Sequence, residues 1–224
     1  MNINYDNNNM VELSGKIVEP LKFSHSVLGE GFFESKLEVK RLSNECDILP
    51  ITISERIGGG LKVGDYVSLK GQFRSYNKQE TEKSRLILTV FVRELNRQNL
   101  AQFENIIKLV GYICKEPVYR TTPFGREIAD ILLAVNRAYN KSDYLPCIAW
   151  GRNARFVKDL KVGDKLEIYG RVQSRNYQKK TEDDIVTKTA YEISISSVLT
   201  VAEDAPLQTE AEIAKKYVSD NLAI

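Results

Sequence analysis

The chain has 224 residues, of which 42% are hydrophobic and 28% are charged, and its formal net charge is +2. It can bury two cores of about 100 residues each, and no apolar run approaches the ~20 residues of a membrane-spanning helix, which predicts a soluble globular protein. The Asn-rich stretch 1–9 has no basic and apolar regions of a secretory signal, and the three cysteines lack C-x-x-C spacing, which together predict a cytoplasmic protein without disulfides or zinc.

One block of sequence occurs twice. LKVGD stands at residues 61–65 and again at 160–164, followed at equal spacing by Gly71 and Gly170. A period of about 100 residues is too long for a solenoid repeat and predicts two complete domains of one fold. The predicted division is a first domain at 10–97, a polar linker at 98–105, a second domain at 106–200 and a short tail at 201–224.

The elements of both repeats follow a period of two. In the first repeat Val67, Leu69 and Phe73 alternate with polar residues, and the second repeat shows the same alternation. Alternation with one polar face predicts antiparallel strands. The strands predicted for the second repeat are 106–118, 127–137, 143–151, 165–175 and 186–199. Gly111 and Gly170, inside strands, predict the sharp bends of a closed barrel.

A short helix is predicted between the third and fourth strands. Residues 153–161 place Ala154, Phe156 and Val157 at helical spacing, whereas the first repeat has three glycines at 58–60, which predict that its helix is lost or cut to a turn. Five strands with one helix after the third are the plan of the OB fold. The predicted fold class is therefore all-β: two tandem five-stranded OB-fold barrels with a short C-terminal helix. That helix, at 209–222, either docks on a barrel or binds a partner.

Four separated motifs of the second repeat share one resemblance. They are YRTTPFG at 119–125, LLAVNR at 132–137, IAWGR at 148–152 and GRVQSRNY at 170–177. In order and spacing this series resembles the bacterial single-stranded-DNA-binding protein family, and the first repeat resembles the family more weakly. The resemblance implies the tandem form of that family, a homodimer with four OB folds, and a role in DNA replication, repair or recombination.

The same repeat carries residues suited to binding a single strand. Bases stack on flat aromatic rings for about 1 to 3 kcal/mol each, and cations follow the phosphates. Residues 106–200 hold 16 Lys/Arg against 11 Asp/Glu, whereas residues 10–100 hold 14 against 12. Trp150 is predicted to stack, with Tyr144, Tyr177 and Tyr139 at positions that match the family's stacking aromatics. The predicted cations are Arg120, Arg126, Arg137, Arg152, Arg171 and Arg175.

The first repeat has fewer of these residues. Ile48 and Ser54 stand where the second repeat has Tyr144 and Trp150. Its binding face is therefore predicted to be degenerate, contributing either electrostatic contacts or dimer packing. The candidates for contact there are Tyr76, Arg74 and Arg41.

No catalytic constellation is found in the sequence. His25 is the only histidine, and the acidic run 182–184 beside Lys179 and Lys180 is interpreted as solvated charge. We therefore predict a binding protein that is not an enzyme, with no cofactor and no metal.

Two alternatives to single-stranded DNA binding stay open. One is a protein-interaction or primosome-like assembly module with weak nucleic-acid affinity, favoured by the missing aromatics of the first repeat. The other is RNA binding, because an OB groove accepts either kind of strand. Recruitment of replication or repair proteins, which the resemblance implies through an acidic tail tip, is not supported by the final residues, SDNLAI.

Overall fold

The computed structural model describes residues 8–43, 45–80, 83–99, 104–180 and 185–201. The first repeat contains β1 (Asn9–Ile17), β2 (Lys22–Val27), β3 (Glu30–Lys40), β4 (Cys46–Ser54), α1 (Glu55–Gly58), β5 (Tyr66–Glu80) and β6 (Lys83–Gln98). The second contains β7 (Asn105–Ile113), β8 (Val118–Thr121), β9 (Glu127–Asn136), β10 (Ser142–Trp150), α2 (Arg152–Val157), β11 (Lys165–Lys180) and β12 (Ile185–Thr200). The predicted C-terminal helix and the acidic run 182–184 lie outside the described residues.

Each repeat closes into a five-stranded barrel, which confirms the predicted OB folds. Strands β4, β6, β5 and β1 are hydrogen-bonded in that order, and β1 closes the first barrel on β3. The second barrel has the same order, β10, β12, β11 and β7, with β7 closing on β9. β2 and β8 are additional edge strands that pair only with β3 and β9 in the described part of the chain.

The strand predicted at 106–118 is in fact two strands. β7 ends at Ile113, and the chain leaves the barrel before it resumes as β8 at Val118. The Cys114 backbone N–H donates to the carbonyl of Leu132, and Pro117 has no N–H to continue the ladder. The alternation Ile107, Leu109, Gly111, Ile113 stops at Lys115, so the sequence does mark the break that the prediction passed over.

Two glycines allow the bends that the barrels need. A Cβ at Gly111 would meet the carbonyl oxygen of Ala134 where β7 closes on β9. A Cβ at Gly170 would meet the carbonyl oxygen of Ser194, at the bulge between Tyr169 and Gly170. Larger residues would push the strands apart at both points, which is the physical basis of the predicted bends.

The helices differ between the repeats as the glycines predict. α2 buries Ala154 and Val157 under the second barrel. α1 is a single turn of four residues, and Gly60 follows it with a φ of +76°. No helix in the described ranges is long and apolar enough to cross a membrane.

The two barrels share one continuous sheet. β1 pairs with β7 in antiparallel orientation, and Val11 lies opposite Ile107, its counterpart in the other repeat. The same hydrophobic cluster includes buried residues of both barrels. The repeats are therefore related by an internal two-fold pseudo-symmetry whose axis passes close to this residue pair.

Candidate nucleic-acid interface

A groove on the second barrel surrounds the only tryptophan. We call this cavity of about 450 Å³ the Trp150 groove, and Trp150 is 38% exposed in it. The described residues that line it include four arginines and no carboxylate: the lining is Arg41, Arg126, Trp150, Arg171, Gln173, Ser174, Arg175 and Ser194. A partly exposed ring among guanidinium groups is a surface on which a base can stack while its phosphates meet cations.

Local backbone geometry presents the Trp150 ring at the surface. Trp150 is the last residue of β10 and follows the buried Ala149. Gly151 then adopts a φ of +52°, and its N–H donates to the carbonyl of Glu127. Because the chain turns there into α2, the ring stays on the outer face of the sheet.

The arginines of this groove are held by neutral or acidic neighbours. Arg171 Nη2 lies 3.5 Å from Gln173 Oε1, and Gln173 Nε2 donates to Glu192 Oε1 at 2.7 Å. Arg175 Nε lies 3.6 Å from the same Glu192 carboxylate. Because the Arg175 side chain is exposed, a phosphate can replace Glu192 as its partner at low cost.

A second groove lies at the junction of the barrels. We call it the junction groove; it has a volume of about 600 Å³ and is lined by Asn8, Asn9, Val27, Gln72, Arg74, Arg93, Arg137, Ala138, Tyr139 and Lys141. Tyr139, 95% exposed in the loop between β9 and β10, reaches it from the second barrel. The two grooves are built alike, because each barrel's groove is completed by residues of the other barrel: Arg41 in one case, Arg137 and Tyr139 in the other.

Arg74 is a partly buried cation of the junction groove. Its guanidinium lies 3.9 Å from the centroid of the Phe91 ring and donates to Gln72 Oε1 at 2.8 Å. Burial, with the charge of the neighbouring Arg137, lowers the pKa of Arg74 to about 10. The Arg74 guanidinium is still protonated at neutral pH, and an incoming anion would stabilise the charge that burial and Arg137 disfavour.

Arg41 also fastens the two barrels together. Its Nε and Nη2 donate to Asp47 at 2.7 and 2.6 Å, and this hydrogen bonding raises the pKa of Arg41. Asp47 Oδ1 in turn accepts the backbone N–H of Ser174 from the other barrel at 2.6 Å. We call Arg41, Asp47 and Ser174 the first clasp.

The second clasp is the pseudo-symmetric counterpart. Asp143 Oδ1 accepts the backbone N–H of Ser75 at 2.7 Å, but Arg137 Nη1 lies 3.5 Å from it. Asp143 is fully buried, and its Oδ2 has no hydrogen-bond partner among the described residues. Burial therefore raises the pKa of Asp143, against the opposing effect of Arg137. The arginine of this clasp is held less tightly than Arg41.

Tyr144 is not placed where the sequence predicted a stacking residue. It is 5% exposed and packs with Cys114 and Ala134. Its backbone N–H donates to Ser75 Oγ across the junction at 2.7 Å. A ring buried in this way offers no open face to a base, so the Tyr144 side chain is a packing residue of the second barrel, and only its backbone contacts the first barrel.

The other predicted residues lie at the surface outside the two grooves. Tyr177, on β11, and Tyr76, on β5, are 39% and 43% exposed, and burial together with Glu34 raises the pKa of Tyr76. Arg120 is paired with Asp130 at 2.7 Å on the β8–β9 hairpin. Arg152 is exposed at the start of α2. None of these four lines the two grooves described above.

Two residues at the grooves, Arg93 and Phe91, were not among the predicted sites. Arg93 lines the junction groove, whereas Arg126, which lines the Trp150 groove, was among the predicted cations. Phe91 lies under Arg74, and its ring centroid is 5.7 Å from that of Phe32. Phe91 stands in the apolar run TVFV at 89–92, where alternation does not tell which side chain faces outward.

Comparison with known proteins agrees with the fold and with the second barrel. Residues 104–201 match the model of the family described as Single-strand binding protein family. The chain is 39% identical over 83 residues to single-stranded DNA-binding protein 1 of Staphylococcus aureus, covering 34% of this chain and 50% of that protein. It is 37% identical over 83 residues to single-stranded DNA-binding protein A of Bacillus subtilis, covering 34% and 48%. The chain thus spans about half the length of these curated relatives.

A solved structure matches both barrels. The wild-type single-stranded DNA binding protein from Thermus aquaticus superposes with a TM-score of 0.69 at 17% identity, covering 90% of this chain and 96% of that one. This likeness is one of fold, two OB barrels in one chain. The sequence match to the family covers the second barrel only.

Proposed function

We propose that the protein binds single-stranded DNA without regard to sequence, by stacking bases on Trp150 and pairing phosphates with the surrounding arginines. The observation that carries the proposal is the Trp150 groove itself, where one ring and four arginines meet without a lining carboxylate. Stacking is sequence-tolerant because every base has a π face. The names of the relatives and the family match of the second barrel support the same substrate.

The proposed path of the strand crosses both barrels. Arg41 lines the Trp150 groove and also a cavity of about 490 Å³ that includes Lys40 and Arg171. On the pseudo-symmetric side, Arg74, Arg137 and Tyr139 share the junction groove. Tyr177 and Arg152 are proposed as further contacts beside the Trp150 groove, whereas Arg120, already paired with Asp130, contributes less.

The protein acts without catalysis in this proposal, as a cytoplasmic homodimer that protects single strands during replication, repair or recombination. The three cysteines are free, and burial raises the pKa of Cys114 to about 12, so that thiol is unreactive at neutral pH. A dimer would present four OB folds to one strand.

The experiment that tests the proposal compares strands in one assay. Fluorescence anisotropy of labelled oligo-dT should show saturable binding that unlabelled oligo-dT competes away and duplex DNA of the same length does not. Oligo-rU as a third competitor measures the preference for DNA over RNA. Equal competition by the duplex would contradict the proposal, because a base-paired strand has no ring face to offer Trp150.

A further inference from the structure

The outer face of the first barrel carries a row of aromatic rings that the proposed function does not use. The row consists of Phe91 on β6, Phe32 on β3 and His25 on β2. The ring centroids of Phe91 and Phe32 are 5.7 Å apart, and those of Phe32 and His25 are 5.2 Å apart with their planes only 11° from parallel. We call these residues the aromatic row.

The aromatic row occupies the face that corresponds to the Trp150 groove. Ser54, the last residue of β4, is the structural counterpart of Trp150, and Phe32 lies directly opposite Ser54 on the neighbouring strand. Phe91 is the counterpart of Ser194, which lines the Trp150 groove. This equivalence follows from the strand pairing. Ile51 pairs with Val90 in the first barrel, and Cys147 pairs with Ile193 at the same place in the second, so the next residues, Phe91 and Ser194, correspond. The first barrel therefore has Ser54 on β4 where the second has Trp150, and it carries a ring on the adjacent strand β3 instead, at Phe32.

The row is open to solvent rather than enclosed in the core. Phe91 and Phe32 are half-buried and His25 is exposed, on a strand whose residues are all exposed. The Phe33 side chain, next in sequence, is the one that packs against the core cluster. Alternation along β3 thus directs Phe32 outward while Phe33 provides packing.

Cations lie beside the row. The guanidinium of Arg74 rests on the Phe91 ring and lines the junction groove together with Arg93, Arg137 and Lys141. The described residues lining that groove include no carboxylate. Flat rings next to a cationic groove match a ligand that has flat rings and negative charges in alternation, which a single-stranded nucleic acid has.

We infer that the aromatic row is a second base-stacking site, which grips the same single strand whose phosphates follow the junction groove. The inference rests on the proposed function and extends it: the first barrel stacks bases through Phe91, Phe32 and His25 in place of a residue on β4. Arg74 positions the Phe91 ring and carries a phosphate contact at its edge.

The test uses full-length variants and labelled oligo-dT anisotropy. Phe91→Leu keeps most of the apolar volume but removes the flat ring, and it should weaken binding by about 5- to 150-fold, the range for loss of one stacked base. His25→Ala, at an exposed position, should weaken binding even if Phe91→Leu proves unstable to urea. Phe23→Leu is the matched control, because Phe23 is 65% exposed on the same hairpin but meets Phe33 edge-on outside the row.

The outcomes separate this inference from the proposed function. If Phe91→Leu and His25→Ala both bind like Phe23→Leu while Trp150→Ala is weakened, the aromatic row is overturned and the Trp150 groove stands. If Phe91→Leu is weakened and Trp150→Ala is not, the row stands and the Trp150 groove is wrong. If the wild-type protein does not bind oligo-dT at all, both are overturned.

Discussion

Trp150 is a partly exposed ring at the end of β10, in a groove lined by four arginines. Its neighbours in the groove are cations, and its backbone is fixed by the turn at Gly151 and the start of α2. The ring therefore needs little reorganisation to accept a base. Such preorganisation reduces the entropy cost of binding.

Replacing the ring should weaken binding and leave the fold intact. We expect Trp150→Ala to cost about 1 to 3 kcal/mol of oligo-dT binding free energy, the contribution of one stacked base. The measurement is anisotropy, with urea unfolding to check stability. Phe156→Ala is the control, since Phe156 is exposed on α2 but does not line the groove; a similar loss in both variants would contradict the role of the ring.

The arginines of the groove should act through phosphates. Arg126→Gln should lower affinity for all sequences alike and reduce the log–log salt slope by about 0.7, the value for one phosphate contact on a single strand. Arg155→Gln is a matched control because Arg155 pairs with Glu127 and does not line the groove. An unchanged salt slope for Arg126→Gln would show that this arginine does not neutralise a phosphate.

Sequence patterns predicted some of these residues and missed others for physical reasons. Trp150 could be found because it precedes Gly151 and Arg152 at a strand end and matches a family motif. Tyr144 was assigned to stacking from its motif position, but its ring is buried against Cys114 and Ala134 on other strands of the same barrel, and no local pattern encodes that contact. Phe91 was missed because it lies in an apolar run, and its exposure is set by strand pairing with distant residues.

At the scale of elements, two clasps at pseudo-symmetric positions hold the barrels together with unequal chemistry. In the first clasp Asp47 is paired bidentately with Arg41, whereas in the second Asp143 keeps one oxygen without a partner among the described residues. The same residue types thus give a fully hydrogen-bonded ion pair at Asp47 and an incompletely bonded one at Asp143. Neutralising the two carboxylates should therefore change the free energy of unfolding in opposite directions.

Asp143→Asn and Asp47→Asn should therefore differ in stability and in its dependence on pH. The pKa of Asp143 is raised by burial, so the ionised carboxylate destabilises the fold above that pKa, and the cost disappears as the pH falls through it. We expect Asp143→Asn to be neutral or stabilising at pH 8 and to lose this advantage near pH 4. Asp47→Asn should destabilise the fold at pH 8 by up to about 3 kcal/mol, since it leaves Arg41 without its partner.

Urea unfolding of both variants at the two pH values provides the measurement. The two substitutions are chemically identical and lie at equivalent places, so each is the control for the other. Equal destabilisation at pH 8 would mean that Asp143 is as well paired as Asp47.

For the whole molecule, the continuous sheet explains why the repeats act as one unit. β1 and β7 pair across the pseudo-symmetry axis, and each groove uses cations from both barrels. The repeat, the strand order and the two OB folds were predictable because they depend on periodicities within each repeat. The pairing of β1 with β7 and the clasps were not, because they depend on how the repeats meet.

The outer face of this sheet suggests how a homodimer would form. Exposed apolar side chains lie there at Met10, Ile106, Tyr169 and Leu199. We expect light scattering to give twice the 25.5 kDa chain mass, and Leu199→Glu to shift the protein toward the monomer. Val63→Glu, at a 55% exposed position in the turn before β5, should have no effect; a wild-type monomer at micromolar concentration would refute the dimer.

The central claim is that a single strand stacks on Trp150 while arginines hold its phosphates, and titration of the intrinsic fluorescence with oligo-dT at two salt concentrations tests it most directly. Because the chain has one tryptophan, excitation at the red edge, where its eleven tyrosines do not absorb, reports on that ring alone. We predict strong, saturable quenching at both concentrations, with an affinity that falls with salt by about 0.7 log units per log unit for each phosphate contact. Emission that stays unchanged while anisotropy shows the oligonucleotide fully bound would contradict the account.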